Sequence, residues 1–154
     1  MNVINILLVL TTFMHGLLAG MCLDVALVKL PTRHRIGVIP YANFARGNDL
    51  GNGIIVYPVS AISGALLLVA TTIIAYVQGQ PTGVSYSLYL SVFSTILSFV
   101  CTTKAAPVML SLKNAPNDEL LVKQKLDLFE RWNAFRTAFQ IISFLALAWS
   151  LTKV

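Results

Sequence analysis

The sequence predicts an all-α, membrane four-helix bundle with both termini on the non-cytoplasmic side, and three observations predict it. Hydrophobic residues make up 56% of the chain and charged residues only 11%, where a soluble domain carries roughly 25% charged residues. Four stretches, 4–28, 54–77, 86–106 and 132–152, are mostly apolar, and crossing a hydrocarbon core takes about 20 such residues. Ten of the eleven Lys and Arg lie in the first and third loops or the span ends beside them, leaving only Lys153 on the other side. That bias places loops one and three in the cytoplasm. The length fits a single transmembrane domain over 1–154.

Span one lacks the basic start and small-residue cleavage site of a signal peptide, so it reads as a retained helix. At about 100° per residue, Leu7, Leu10, Met14, Leu17, Leu18, Met21, Val25 and Val28 fall on one bulky arc, which is expected to face lipid. His15, Gly16, Ala19, Gly20, Cys22, Asp24 and Ala26 fall on the other side. Gly16 and Gly20 form a GxxxG pair of the kind that lets two backbones approach. Loop one, 30–53, is rich in Gly and Pro. Its segment 44–53 reads either as a lid carrying Arg46, Asn48, Asp49 and Asn52 or as a solvated loop ending in a helix cap.

Span two gathers Tyr57, Ser60, Ser63, Gly64, Leu67 and Thr71 on one face. A tight uncharged turn, 78–85, leads to span three, whose stripe is Ser87, Ser91, Ser94, Thr95, Ser98, Cys101, Thr102 and Ala105. Pro107 is expected to kink or end that span. Segment 117–131 reads as an amphipathic helix, capped by Asn117 or Asp118 and continuous with span four. The polar face of span four is Trp132, Asn133, Arg136, Gln140, Ser143 and Ser150, interrupted by Leu147, with Phe135, Ala138, Ile142, Leu145 and Trp149 opposite. Four faces of this kind predict a bundle with a polar interior, in which many hydroxyls serve only as helix–helix bonds.

Ionisable side chains inside a membrane are costly and mark candidate sites. Asp24 and Arg136 are expected at similar depth, as a buried pair that either staples two helices or meets a substrate. His15 lies near mid-membrane, where it is a base, a metal or haem ligand, or a neutral ring bonded to a neighbouring serine or carbonyl. The only other histidine is His34 in loop one. Zinc takes three or four ligands, so no metal and no haem is expected. Lys104 reads as snorkelling to headgroups. The two cysteines, Cys22 and Cys101, sit in apolar stretches and do not suggest a disulfide framework. No basic stripe interleaved with aromatics points to nucleic acid, and phosphate-loop, dinucleotide and nucleophile-elbow patterns are absent.

The run Trp132-Asn-Ala-Phe-Arg136, the proline at the end of span three and the glycine-bearing first span resemble the anthrone-oxygenase-like family of small four-helix integral membrane proteins. In topology the resemblance covers nearly the whole chain. The family's Pro-x-Asn at the end of span three reads Pro107-Val-Met here. The resemblance implies oxidation of an anthrone to an anthraquinone by molecular oxygen, without a cofactor. It carries over Trp132, Asn133 and Arg136 alone.

Together these readings predict a polar site inside the bundle for a lipophilic aromatic or quinone-like molecule. His15, Asp24 and Arg136 are the candidate catalytic residues, and Asn52, Trp132, Asn133 and Gln140 are the candidate substrate contacts. The alternative is a non-catalytic membrane protein that binds, transports or belongs to a larger complex. Expected partners are the lipid bilayer and a lipophilic small molecule, with a homo-oligomer left open.

Overall fold

The computed structural model of the chain describes residues 2–153. Its helices are α1 (Val3–Leu23), α2 (Leu30–Ile36), α3 (Val38–Gly47), α4 (Gly53–Val77), α5 (Thr82–Leu110) and α6 (Glu119–Ser150), with no strand among the described residues. Two wide π-helical turns, Asp24–Lys29 and Asn48–Asn52, join α1 to α2 and α3 to α4. The stretches Val3–Ile36, Val38–Val77 and Thr82–Leu110 are long and apolar enough to cross a membrane. The fourth long helix, α6, is not among them, because Asn133, Arg136 and Gln140 interrupt its apolar half.

α1, α4, α5 and α6 form the bundle as a ring, α1 and α5 each packing on both α4 and α6. The α5–α6 seam is the most extensive and the α4–α5 seam the loosest. Two apolar clusters close the bundle at its ends. Ile4, Leu8, Leu68, Ala75, Val84, Leu88 and Leu147 fill the end that holds the N-terminus and the α4–α5 turn. Leu30, Tyr41, Ala42, Ala45, Leu112, Val122, Leu126 and Phe129 fill the other. Loops one and three therefore meet at one end of the bundle. Between the clusters lies a belt of buried polar side chains, among them Thr11, His15, Thr71, Ser91, Thr95, Ser98, Asn133, Gln140 and Ser143.

Loop one departs most from expectation. It is helical almost throughout, because its prolines sit in first turns, where a missing N–H costs nothing: Pro31 opens α2 and Pro40 lies in the first turn of α3. Two glycines interrupt it: Gly37, at φ +93°, in a backbone region that glycine adopts freely, and Gly51, whose ψ of -113° kinks the chain just before α4. The segment is latched rather than solvated. Buried Arg33 pairs with Asp127 at 2.8 Å and with Glu130. Arg46 donates to the carbonyl oxygens of Leu112 and Ala115 and to Asn117 Oδ1, at 2.8–3.0 Å.

α5 continues through Pro107 to Leu110, and α6 starts, as expected, at an Asp118 cap that accepts from Leu120 and Leu121 N–H at 2.9 and 3.2 Å. Leu18 on α1 and Val25 in the Asp24–Lys29 turn are buried rather than on the outer arc. A Cβ on Gly16 would meet the Phe144 ring at 3.0 Å, whereas Gly20 has no neighbour within 4 Å, so only the first glycine of the pair makes a close approach.

Candidate functional site

The stripe read on α5 faces α6 as its spacing predicts, and the hydroxyls converge on Ser143. Ser143 Oγ lies 2.6 Å from Ser91 Oγ, 3.1 Å from Thr95 Oγ1 and 3.0 Å from His15 Nδ1. Thr11 and Thr71 join α1 to α4 through a 2.7 Å hydroxyl contact. Gln140 bridges two helices: its Oε1 accepts from Ser98 Oγ at 3.5 Å, and its Nε2 lies 3.2 Å from His15 Nδ1.

This arrangement sets the histidine tautomer. An amide nitrogen only donates, so His15 Nδ1 accepts, and the ring proton of the neutral imidazole resides on Nε2. His15 is fully buried, and Nε2 makes no hydrogen bond of good geometry among the described residues, although the Gly64 backbone lies beside the ring. The ring therefore offers a donor, not a proton acceptor.

His15 lines a cavity of about 310 Å³ enclosed by α1, α4, α5, α6 and the Asn48–Asn52 turn. That volume is at the lower end of the range for small-molecule sites. Most of the wall is apolar, and the polar groups are few: His15, Gln140, Arg136, Thr95, Ser98, Thr102, Tyr57 and Asp49. Ile54, Ile62, Phe99 and Leu110 line the cavity and are also exposed on the outside of the bundle. Its mouth is therefore a sideways opening along the loose α4–α5 seam.

Three of the expected site residues come together there. His15, Arg136 and Gln140 all line the cavity, and Asn133 supports Arg136 from behind, accepting from Arg136 Nη2 at 2.6 Å. Arg136 Nε and Asn133 Nδ2 are buried without partners, and among the described residues no carboxylate lies within salt-bridge distance of Arg136. Trp132 packs instead on the apolar cluster of the loop end, and Asn52 is exposed. Neither lines the cavity. The expected Asp24–Arg136 pair does not form. Asp24 opens the π-helical turn, is half exposed, and faces Lys29 at 3.6 Å. Lys104 is exposed, as read.

Asp49, read only as one residue of a lid segment, is the acidic group that reaches the cavity. Its side chain is 6% exposed. Among the described residues no group of three or more His, Cys, Asp and Glu is arranged to hold a metal ion. No family model, curated protein or solved structure matches the chain.

Gly64 makes room for Leu18, which lines the cavity. A Cβ there would lie 2.8 Å from Leu18 Cδ1 and 4.0 Å from His15 Nε2. In Gly64→Ala the end of Leu18 is expected to swing into the cavity, which moderates an overpacking cost of typically about 1–3 kcal/mol. Thermal stability should change little, and affinity for any small molecule the cavity takes should fall several-fold. A large loss of stability at unchanged affinity would place Leu18 elsewhere.

Proposed function

We propose that the chain is an integral membrane protein whose four long helices cross the bilayer, with loops one and three cytoplasmic. Its intrabundle cavity holds a flat lipophilic molecule of the aromatic ketone or quinone class. One observation carries this reading: His15 and Arg136, whose Nε2 and Nε are donors without a hydrogen-bond partner, both line a mostly apolar cavity. An unmade hydrogen bond in a buried place costs about 1–3 kcal/mol, more for a charged group, and a ligand carbonyl oxygen removes that cost. α6 belongs among the spans on this reading because its polar groups, Asn133, Arg136, Gln140 and Ser143, face the interior, while Phe135, Ile142, Leu145 and Trp149 are exposed.

The same donors favour a second reading, cofactor-independent oxygenation of the anthrone type. Removing a proton from the methylene between the rings leaves an enolate, and donors fixed at its oxygen stabilise that charge without reorganising. The carbanion carbon then bonds to molecular oxygen. One oxygen atom stays as the new carbonyl and the other leaves as water with the two lost hydrogens. His15 and Arg136 are the oxyanion donors in this scheme. Asp24 lies outside the cavity and His15 presents N–H, so the methylene proton passes to Asp49, the one carboxylate among the cavity's lining residues.

The first test is native mass spectrometry of the detergent-purified protein with an absorption spectrum of the same sample. A copurified aromatic or quinone-like molecule, or saturable binding of added anthraquinone, supports the site, and oxygen uptake with anthrone then separates enzyme from binder. A bare, colourless chain that also fails to bind anthraquinone overturns the reading.

A further inference from the structure

Asp49 is bonded on one side only. Its Oδ1 accepts from Asn48 Nδ2 at 3.0 Å, Tyr57 Oη at 3.2 Å and Lys29 Nζ at 3.4 Å. Its Oδ2 is buried and has no donor among the described residues. A carboxylate oxygen away from water is an acceptor that strongly favours a partner. Asp49 lines the same cavity as His15 and Arg136, whose orphan groups are donors. The cavity thus holds unmet hydrogen-bonding groups of both signs. Among its lining residues, Asp49 and Arg136 are the only charged ones.

We propose that Asp49 Oδ2 accepts a hydrogen bond from a hydroxyl group of the ligand, so that the site selects phenolic rings over their ethers. This rests on the cavity being a ligand site, and it adds the identity of the second anchor. A ligand meeting both sets of groups carries a carbonyl oxygen for His15 and Arg136 and a hydroxyl for Asp49. The three donors on Oδ1 make the preference directional. In Asp49→Asn the amide oxygen is pinned where those donors point, so the amide nitrogen occupies the Oδ2 position. An acceptor facing the ligand becomes a donor, with little change in shape.

The experiment compares 2-hydroxyanthraquinone with 2-methoxyanthraquinone on the full chain in detergent, at a pH where the phenol stays protonated. A hydrogen bond to a charged group contributes about 1.5–3 kcal/mol, so wild type should prefer the hydroxyl probe by about tenfold or more. In Asp49→Asn the preference should vanish or invert. In Tyr41→Phe it should persist, because Tyr41 is buried at the loop end and does not line the cavity. Equal binding of the two probes to wild type overturns the proposal while leaving the cavity a ligand site. A hydroxyl preference that survives Asp49→Asn, or equal weakening of both probes, overturns it too and reduces Asp49 to a latch for Lys29 and Tyr57. Binding of neither probe to wild type removes the ligand site and this proposal together.

Discussion

Replacing Arg136 by Leu is expected to lower affinity for anthraquinone by at least about tenfold, the equivalent of one charged hydrogen bond, while Lys104→Ala leaves it unchanged. The contrast follows from where the two cations sit. Lys104 is exposed near the end of α5 and does not line the cavity. Arg136 lines the cavity, held by Asn133 through one nitrogen and unpartnered at Nε. The fold should survive the change. Losing the guanidinium deprives the buried Asn133 oxygen of its donor, a cost of about 1–3 kcal/mol. Against that, a charge inside a membrane helix is costly, up to about 2.5–3.5 kcal/mol at its centre and less towards its ends, and the substitution removes one that lies about a turn inside span four. Equilibrium binding and thermal unfolding of the same preparation separate the two effects. Equal behaviour of the Arg136 and Lys104 variants would mean that the cation meets no ligand.

Leu126→Ala should be the most destabilising single truncation, costing about 2–5 kcal/mol. Leu8→Ala, equally buried, should cost about 2 kcal/mol less. Both leucines are fully buried, Leu126 in the cluster at the loop end and Leu8 in the cluster at the opposite end. Their surroundings on unfolding differ. The three carbons removed from Leu126 would otherwise pass from water to the interior, a gain of about 0.8 kcal/mol for each. If the helices cross a bilayer as proposed, the alternative environment at Leu8 is lipid, as apolar as the core, so only packing is lost. Denaturation of the two variants in vesicles measures the difference. Matching losses would put the loop-end cluster at the same depth as the rest.

The polar interior was legible because it depends on one helix at a time. On α5 and α6 the 3.6-residue period holds without interruption, and Ser91, Ser98, Asn133, Gln140 and Ser143 are buried where the wheel puts them. Span one misled at its end for a local reason. From Asp24 to Lys29 the helix widens to a π turn, which uses more residues per turn, so a 100° count no longer tracks the face. Val25 accordingly turns inward, whereas Asp24, at the start of that turn, stays half exposed and is not the partner of Arg136. Loop one misled because Gly and Pro usually mark irregular chain. Here Pro31 and Pro40 lie in first turns, and Asp49, the carboxylate that reaches the cavity, reads from the sequence as one of four lid residues, with Asn52 as the expected contact. The partners of His15 lay beyond any single helix. They depend on the relative heights of α1 and α6, which only packing fixes.

The sideways mouth between α4 and α5 has a thermodynamic corollary. In a bilayer its rim of Ile54, Ile62, Phe99 and Leu110 faces hydrocarbon, so a dissolved molecule arrives by lateral diffusion and never passes through bulk solvent. Occupancy is then governed by the mole fraction of the guest in the membrane, not by its molarity in the sample. Adding empty vesicles at fixed total guest spreads it over more lipid and drains the cavity, although nothing about the protein has altered.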